Sequence, residues 1–288
     1  MRSGLRPCTQ PRVSQGAGHQ AELVGGIQMS VDWDDLYEVV IRQRLGEVPQ
    51  GQRDAAGFPD RRGQLNPDAP DGHALHDAFT YLRGHAEVFR AVCEEAGHVL
   101  PRKRERLLVV DIGAGAATVA VALADAVGKG TRRRIDYLAY DPHPMMRRLG
   151  EGMLEHLDAQ FRSARYIESL DDIDLTEVDR LLFTFSYVSH QDAVTCADVR
   201  GWASLIGHAV RRVDRAVELI YTTVSRPGGR LAELGHRLDQ AGVSRKPERV
   251  TVRVNRRYPV RVFDSDRVQW DVQGAIWQVR SERWVMRE

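Results

Sequence analysis

The chain predicts an α/β fold built on a doubly wound, mostly parallel sheet. Antiparallel strands close its C-terminal end, and a helical cap precedes it. Three observations carry this. The run Leu107-Leu108-Val109-Val110-Asp111-Ile112 leads into Gly113-Ala114-Gly115 and then into an Ala- and Val-rich segment, the order of a buried strand, a tight turn and a packed helix. Further apolar runs at Ile135–Tyr140, Arg180–Phe185 and Val217–Val224 alternate with segments of helical period, as successive βα units do. Beyond residue 249 the apolar residues recur every second position (Val250, Val252, Val254; Val260, Val262; Val268, Trp270), a strand period that suits an antiparallel closing edge.

Residues 1–29 are rich in Gly, Gln, Pro and Arg without periodicity and read as a disordered tail, with Met29 a candidate natural start. Residues 30–100 form a helical extension. Ser30 or Asp32 can cap a first helix bearing Trp33, Leu36, Tyr37, Val40 and Ile41. The proline-rich stretch 46–72 is a linker or a mobile lid. A second helix is expected over about Ala74–Ala96, its stripe made by Phe79, Leu82, Val88, Phe89 and Val92. The remainder, 101–288, is the catalytic-type α/β domain. Within it Pro142-His143-Pro144 opens a helix to Leu157, with Pro144 in the first turn where its missing N–H costs nothing. A short strand is expected near Ala164–Glu168, and helices over Ala197–Val213 and Arg230–Ala241.

With 288 residues, 42% of them hydrophobic, the chain can bury a large core, and a net charge of +1 gives no general pull toward polyanions. Any nucleic-acid case must rest on local charge. Arg102 to Arg106, and the arginines Arg253, Arg256, Arg257, Arg261 and Arg267 of the last segment, are such patches; they make either a nucleic-acid face or the polar side of a protected edge. Trp270, Trp277 and Trp284 are base-stacking candidates or cross-strand packing partners. Cys8, Cys93 and Cys196 stand far apart, which fits a reducing cytoplasm and no cysteine metal site. His73, His76 and His85 lack a partner at ligand spacing, so no metal is expected. No apolar run is long enough for a bilayer, and no export signal is seen.

The glycine loop lets backbone approach a ligand closely, because Gly113 and Gly115 tolerate positive φ. A dinucleotide fingerprint asks for a third glycine where Thr118 stands, and no Gly-Lys-Ser/Thr phosphate loop follows. The order Asp111-Ile112-Gly113-Ala114-Gly115, with Ala117 where many members have a further glycine and Asp141 ending the second strand, resembles the class I S-adenosylmethionine-dependent methyltransferases. The segment Tyr81–Phe89 and the loop Ser186-Tyr187-Val188 are more distantly similar to the ribosomal small-subunit-associated methyltransferase-like family, whose cysteine cluster this chain lacks.

The resemblance implies a Rossmann-like methyltransferase fold with S-adenosyl-L-methionine as cofactor. Asp141 would accept the ribose hydroxyls, beside Pro142. Asp111 would hold the methionine ammonium, directly or through water, with the backbone of Gly113, Ala114, Gly115 and Ala116 packed against it. Adenine would lie around Glu168, Ser169 and Leu170, and Phe185 is a further cofactor-binding candidate. If the acceptor must lose a proton, Tyr187 and His190 follow the fourth strand at the substrate mouth and are the catalytic candidates. The loop Phe185-Ser186-Tyr187-Val188 lacks the Asn/Asp-Pro-Pro-aromatic motif of exocyclic-amine DNA methyltransferases, so the acceptor is expected to be a small molecule or RNA. The competing functions are an NAD(P)-dependent oxidoreductase and a non-catalytic S-adenosylmethionine-binding module.

Overall fold

In the computed structural model the described residues are 31–42, 44, 68–96, 99–101, 105–126, 133–176, 178–186, 194–213, 217–223, 229–264 and 267–287. The strands are β1 (Leu107–Ile112), β2 (Ile135–Tyr140), β3 (Ser163–Tyr166), β4 (Arg180–Ser186), β5 (Val217–Thr223), β6 (Ser244–Asp264) and β7 (Arg267–Arg287). They form one sheet in the order β3-β2-β1-β4-β5-β7-β6. Pairing is parallel from β3 through β5. β7 then lies antiparallel to both β5 and β6. The expectation of antiparallel C-terminal strands therefore needs correcting in its detail: β7 alone is reversed, and β6 runs in the same direction as β1–β5.

The helices are α1 (Trp33–Leu36), continued by a π-helical turn over Tyr37–Arg42, α2 (Asp71–Ala96), α3 (Thr118–Ala126), α4 (Pro144–His156), α5 (Cys196–Arg212) and α6 (Gly229–Gln240). They cover both faces of the sheet, and β1 is buried along its whole length as a two-sided strand must be. Alternation splits β1 between two cores. Leu107 and Val109 join residues of α1 to α4 on one face, and Leu108, Val110 and Ile112 join α5 and α6 on the other. The N-terminal extension thus shares a core with the sheet through Trp33, Leu36, Leu82 and Phe89.

Local chemistry explains the element ends. Asp32 caps α1 by accepting from the Asp35 amide at 3.1 Å. Thr195 and Asp198 form a capping box ahead of α5. Gly242, at φ 77°, ends α6, and the Val243 amide returns to the Leu238 carbonyl at 3.0 Å. Helix α2 starts three residues earlier than its apolar stripe suggests, at Asp71 directly after Pro70. Strand β3 is one residue shifted and shorter than expected, because a 3₁₀ turn over Leu170–Asp172, capped by Ser169, takes up the acidic segment behind it.

Candidate functional site

The glycine loop lies where ligands bind in open α/β sheets, at the carboxyl ends of β1 and β2. Gly113, Gly115 and Ala117 all have positive φ, at 71°, 56° and 61°. This alternation winds the chain tightly enough for the Gly113 and Ala114 amides both to reach the Tyr140 carbonyl, at 2.8 and 3.0 Å. A Cβ placed on Gly115 would meet nothing within 4 Å, so the backbone there borders open space. Tyr166 holds the loop from beneath. Its phenol donates to the Gly115 carbonyl at 2.6 Å and accepts from the Ala117 amide. The ring has room because residue 150 of α4 is glycine; any Cβ there would collide with the phenol.

Asp141 couples this loop to the start of α4. One carboxylate oxygen accepts from the Gly115 amide at 2.8 Å and the other from the His143 amide at 2.9 Å. A carboxylate has about four lone-pair positions, so each oxygen keeps one for a further donor. Burial raises the carboxyl's pKa, while the two amides, His143 and Arg147 pull it back. His143 itself caps α4. Its Nδ1 accepts from the Met145 and Met146 amides, which leaves the proton on Nε2 to donate to the Ala69 carbonyl at 2.9 Å. Together with the Arg148–Asp71 ion pair at 2.9 Å, this fastens the start of α2 to the turn after β2.

That attachment brings a residue the sequence did not single out. Asp77 of α2 feels the charge of Asp141, and burial together with that charge pushes its pKa up to about 7. Its only signal in the sequence is an acid next to the apolar stripe of a helix, which by itself means little.

Asp111 departs from expectation. It is wholly buried, and both oxygens are engaged inside the protein, by the Tyr137 hydroxyl at 2.5 Å and the Thr184 hydroxyl at 2.7 Å. Burial pushes its pKa up to about 7 against the lowering effect of these two bonds. It joins β1, β2 and β4 beneath the loop and organises it. The expected contact with a ligand ammonium therefore gives way, because no oxygen of Asp111 faces outward.

The remaining expected residues divide. Pro142 is exposed beside Asp141, and Ser169 and Leu170 are half-buried at the carboxyl end of β3, where a ligand can reach them. The Ser169 hydroxyl is already used, accepting from the Asp171 amide. Ala114 is buried and contributes backbone alone. Phe185 is corrected: its ring is buried in the second core against Trp202, with centroids 5.0 Å apart, because its position on β4 faces α5. Tyr187 and His190 lie outside the described residues, as do Ser30 and most of the 46–72 stretch. The side chains of Trp270, Trp277 and Trp284 are likewise outside them. Among the described residues no group of His, Cys, Asp and Glu is arranged to hold a metal ion, and no helix is long and apolar enough to cross a membrane.

No family model and no curated protein matches the chain. Among solved structures, it is similar to a precorrin-6Y C5,15-methyltransferase from Geobacter metallireducens GS-15, with a TM-score of 0.41 and 17% identity over 68% of this chain and 87% of that one. It is similar to the magnesium protoporphyrin IX methyltransferase of Synechocystis PCC 6803, solved with bound SAM, with a TM-score of 0.41 and 16% identity over 78% of this chain and 100% of that one. A SAM-dependent methyltransferase from Aquifex aeolicus gives 0.38 and 12%, covering 83% and 98%. Likeness of this degree assigns no function, which has to be argued from the site.

Proposed function

We propose that the chain is an S-adenosylmethionine-dependent methyltransferase. The observation that carries this is the bridge from Asp141 to the Gly115 amide at the carboxyl edge of the sheet. It sets a carboxylate with unused lone pairs beside backbone that borders open space. Such a carboxylate suits a vicinal diol, which can donate to both oxygens at once. A second acid, Asp77, stands near it, and neither has an ion-pair partner among the described residues. An acidic crevice of this kind suits a ligand that carries cations as well as hydroxyls, and S-adenosylmethionine carries a sulfonium and an ammonium.

When bound, that cofactor supplies a methyl group on a good leaving group. The chain's part is to bind and align. Asp141 takes the ribose hydroxyls, Asp77 offsets positive charge, and the Gly113–Ala116 backbone forms the floor, with Ser169 and Leu170 at its side. Alignment alone can supply ~7–11 kcal/mol of a well-oriented reaction's barrier. Tyr187 and His190 are proposed at the substrate mouth to accept a proton where the acceptor requires it, the acceptor being a small molecule or RNA.

Thermal melting with S-adenosylhomocysteine and with NAD(P)H tests this. Stabilisation by S-adenosylhomocysteine is expected, about 2.7 kcal/mol at a hundredfold excess over Kd. Stabilisation by NAD(P)H alone would overturn it. Asp141→Asn, which keeps one acceptor oxygen for an amide and turns the other position into a donor, should lower the affinity for S-adenosylhomocysteine at least tenfold by calorimetry, and unchanged affinity would remove Asp141 from the site.

A further inference from the structure

Helices α5 and α6 lie side by side on the face of the sheet opposite α2, and their buried sides enter the second core through Trp202, Ile206, Leu234 and Leu238. Between their outer sides runs an open groove of about 450 Å³, within the size range of small-ligand sites. Both helices cross from the carboxyl to the amino edge of the sheet, α5 linking the parallel strands β4 and β5. Arg211 and Arg237, in their last turns, therefore stand toward the amino edge, away from the crevice at Asp141.

The groove has a floor of small residues and a cationic rim. From α5 it takes Arg200, Ser204, Gly207 and Arg211, which steps of four and three place on one helix face. From α6 come Arg237 and Gln240, and three of the lining residues are arginines while none is an acid. A Cβ on Gly207 would lie 3.6 Å from Arg211 Nη1 and 3.9 Å from Nη2, so that guanidinium lies back along the helix, over the groove floor. Glu233 orients Arg237 by accepting from its Nε at 3.1 Å and its Nη2 at 2.8 Å, a pair in which Nη1 takes no part. Arg200 and Arg211 have no ion-pair partner among the described residues. Helix dipoles account for only part of this charge. Arg211, Arg212 and Arg237 occupy last turns, where a cation is favoured, but Arg200 stands in the second turn of α5, where a cation gains nothing. Arg200 and Gly207 are about 10 Å apart along the helix, so the two unpaired guanidinium groups suit a ligand with more than one anionic group. No aromatic residue lines the groove, so a base has nothing to stack on, whereas a guanidinium fork matches the oxygens of phosphate.

We propose that the α5–α6 groove binds an oligophosphate, free or as the phosphate end of a nucleotide, with Arg200, Arg211 and Arg237 as its donors. The groove is separate from the crevice and does not depend on the methyltransferase reading.

The test is calorimetry of the full chain with tripolyphosphate and with ATP, at low and high salt. Binding of tripolyphosphate is expected, weakening as salt rises. Arg200→Gln and Arg211→Gln should each weaken it about tenfold, the loss of one charge-assisted donor. Arg200→Lys with Arg211→Lys keeps the charge and should retain more affinity than the two Gln changes together. Ser204→Glu, which sets an acid among the arginines without removing one, should abolish binding. ATP held more tightly than tripolyphosphate, with the same loss in the Gln variants, names a nucleotide as the source; ATP held no more tightly names the phosphate chain alone.

A control lies one residue further along α5. Arg212→Gln removes the same charge outside the groove and should leave the affinity within about twofold. The proposal is overturned if the wild type binds neither probe at millimolar concentration, or if Arg212→Gln weakens binding as much as Arg211→Gln, which would reduce the attraction to net charge. S-adenosylhomocysteine calorimetry on the same samples separates the two sites. Its affinity should be the same in the wild type and in Arg211→Gln, and a parallel loss of both ligands would overturn a separate groove. A wild type that binds tripolyphosphate but no S-adenosylhomocysteine sinks the crevice reading alone.

Discussion

The two ends of the sheet treat buried acids in opposite ways. At the amino end they are answered by guanidinium groups. Asp136 pairs with Arg162 at 2.7 Å and Arg106 at 3.8 Å, and Arg180 pairs with Glu218 at 2.8 Å and Glu105 at 3.7 Å. At the carboxyl end, Asp111 rests on two hydroxyls, Asp141 on two backbone amides, and Asp77 feels the charge of Asp141. No ion pair joins any of these three among the described residues. The chain has arginines to spare, so the difference lies in placement. Charge is neutralised where the fold only has to close, and left uncompensated where a cationic ligand can complete it.

The largest test of this contrast is at the paired end. Arg180→Met should cost about 3–5 kcal/mol by urea denaturation, since it removes the guanidinium paired at 2.8 Å with the buried Glu218 carboxylate. A loss under about 1 kcal/mol would mean that the amino end is no more neutralised than the other.

Asp111→Ala is expected to come next, at about 2–4 kcal/mol, because the buried Tyr137 and Thr184 hydroxyls both lose their acceptor. Asp111→Asn separates hydrogen bonding from charge. A carboxyl whose pKa is raised from 3.8 to about 7 on folding binds its proton more tightly in the folded state. Stability from this group is therefore full below about pH 4 and falls as the pH rises toward 7. The Asn variant should gain on the wild type in urea midpoint from pH 5 to pH 8. A difference independent of pH would show that Asp111 is ionised throughout.

The same logic applied to Asp77 gives a ligand effect. A cationic ligand favours the ionised carboxyl, so affinity for S-adenosylmethionine should rise between about pH 6 and 8, with proton release on binding. Asp77→Asn should flatten that rise severalfold in calorimetry, and an unaltered pH profile would exclude Asp77 from the crevice.

The smallest expected effect is at Ala117. Left-handed backbone costs a residue with a Cβ ~1–2 kcal/mol, so Ala117→Gly should raise stability by up to about 1 kcal/mol, visible as a higher Tm. A lower Tm would show that the methyl's packing in the core outweighs the strain.

Much of the frame was legible because it rests on local pattern. The alternation of apolar runs with helical segments placed β1, β2, β4 and β5, and Gly113, Gly115 and Asp141 announced the bend that they make. What was not legible is direction. A carboxylate at the end of a strand can point to a ligand or into the sheet, and only the hydroxyls of Tyr137 and Thr184, 26 and 73 residues away, turn Asp111 inward. Phe185 had the same ambiguity, settled by Trp202 on a neighbouring helix. Asp77 was missed for a related reason. Its relevance comes from the docking of α2 through His143 and Asp71, which no spacing in the sequence encodes. The length of β6 and β7 was hidden because period-2 alternation reads alike in a short strand and a long one.

The position of β7 has one more consequence, for the order in which the molecule can be made. β7 is inserted between β5 and β6, both of which precede it in the chain. β6 can begin to pair as soon as Arg267 follows Asp264, but β5 keeps an open edge until Arg280 to Met286 have been made. A nascent chain therefore spends its last stage with the β5 ladder unpaired, a state prone to pairing with other chains. Pro247 and Pro259, which cannot donate to a ladder, both fall on β6, where they blunt the outer edge of the finished sheet.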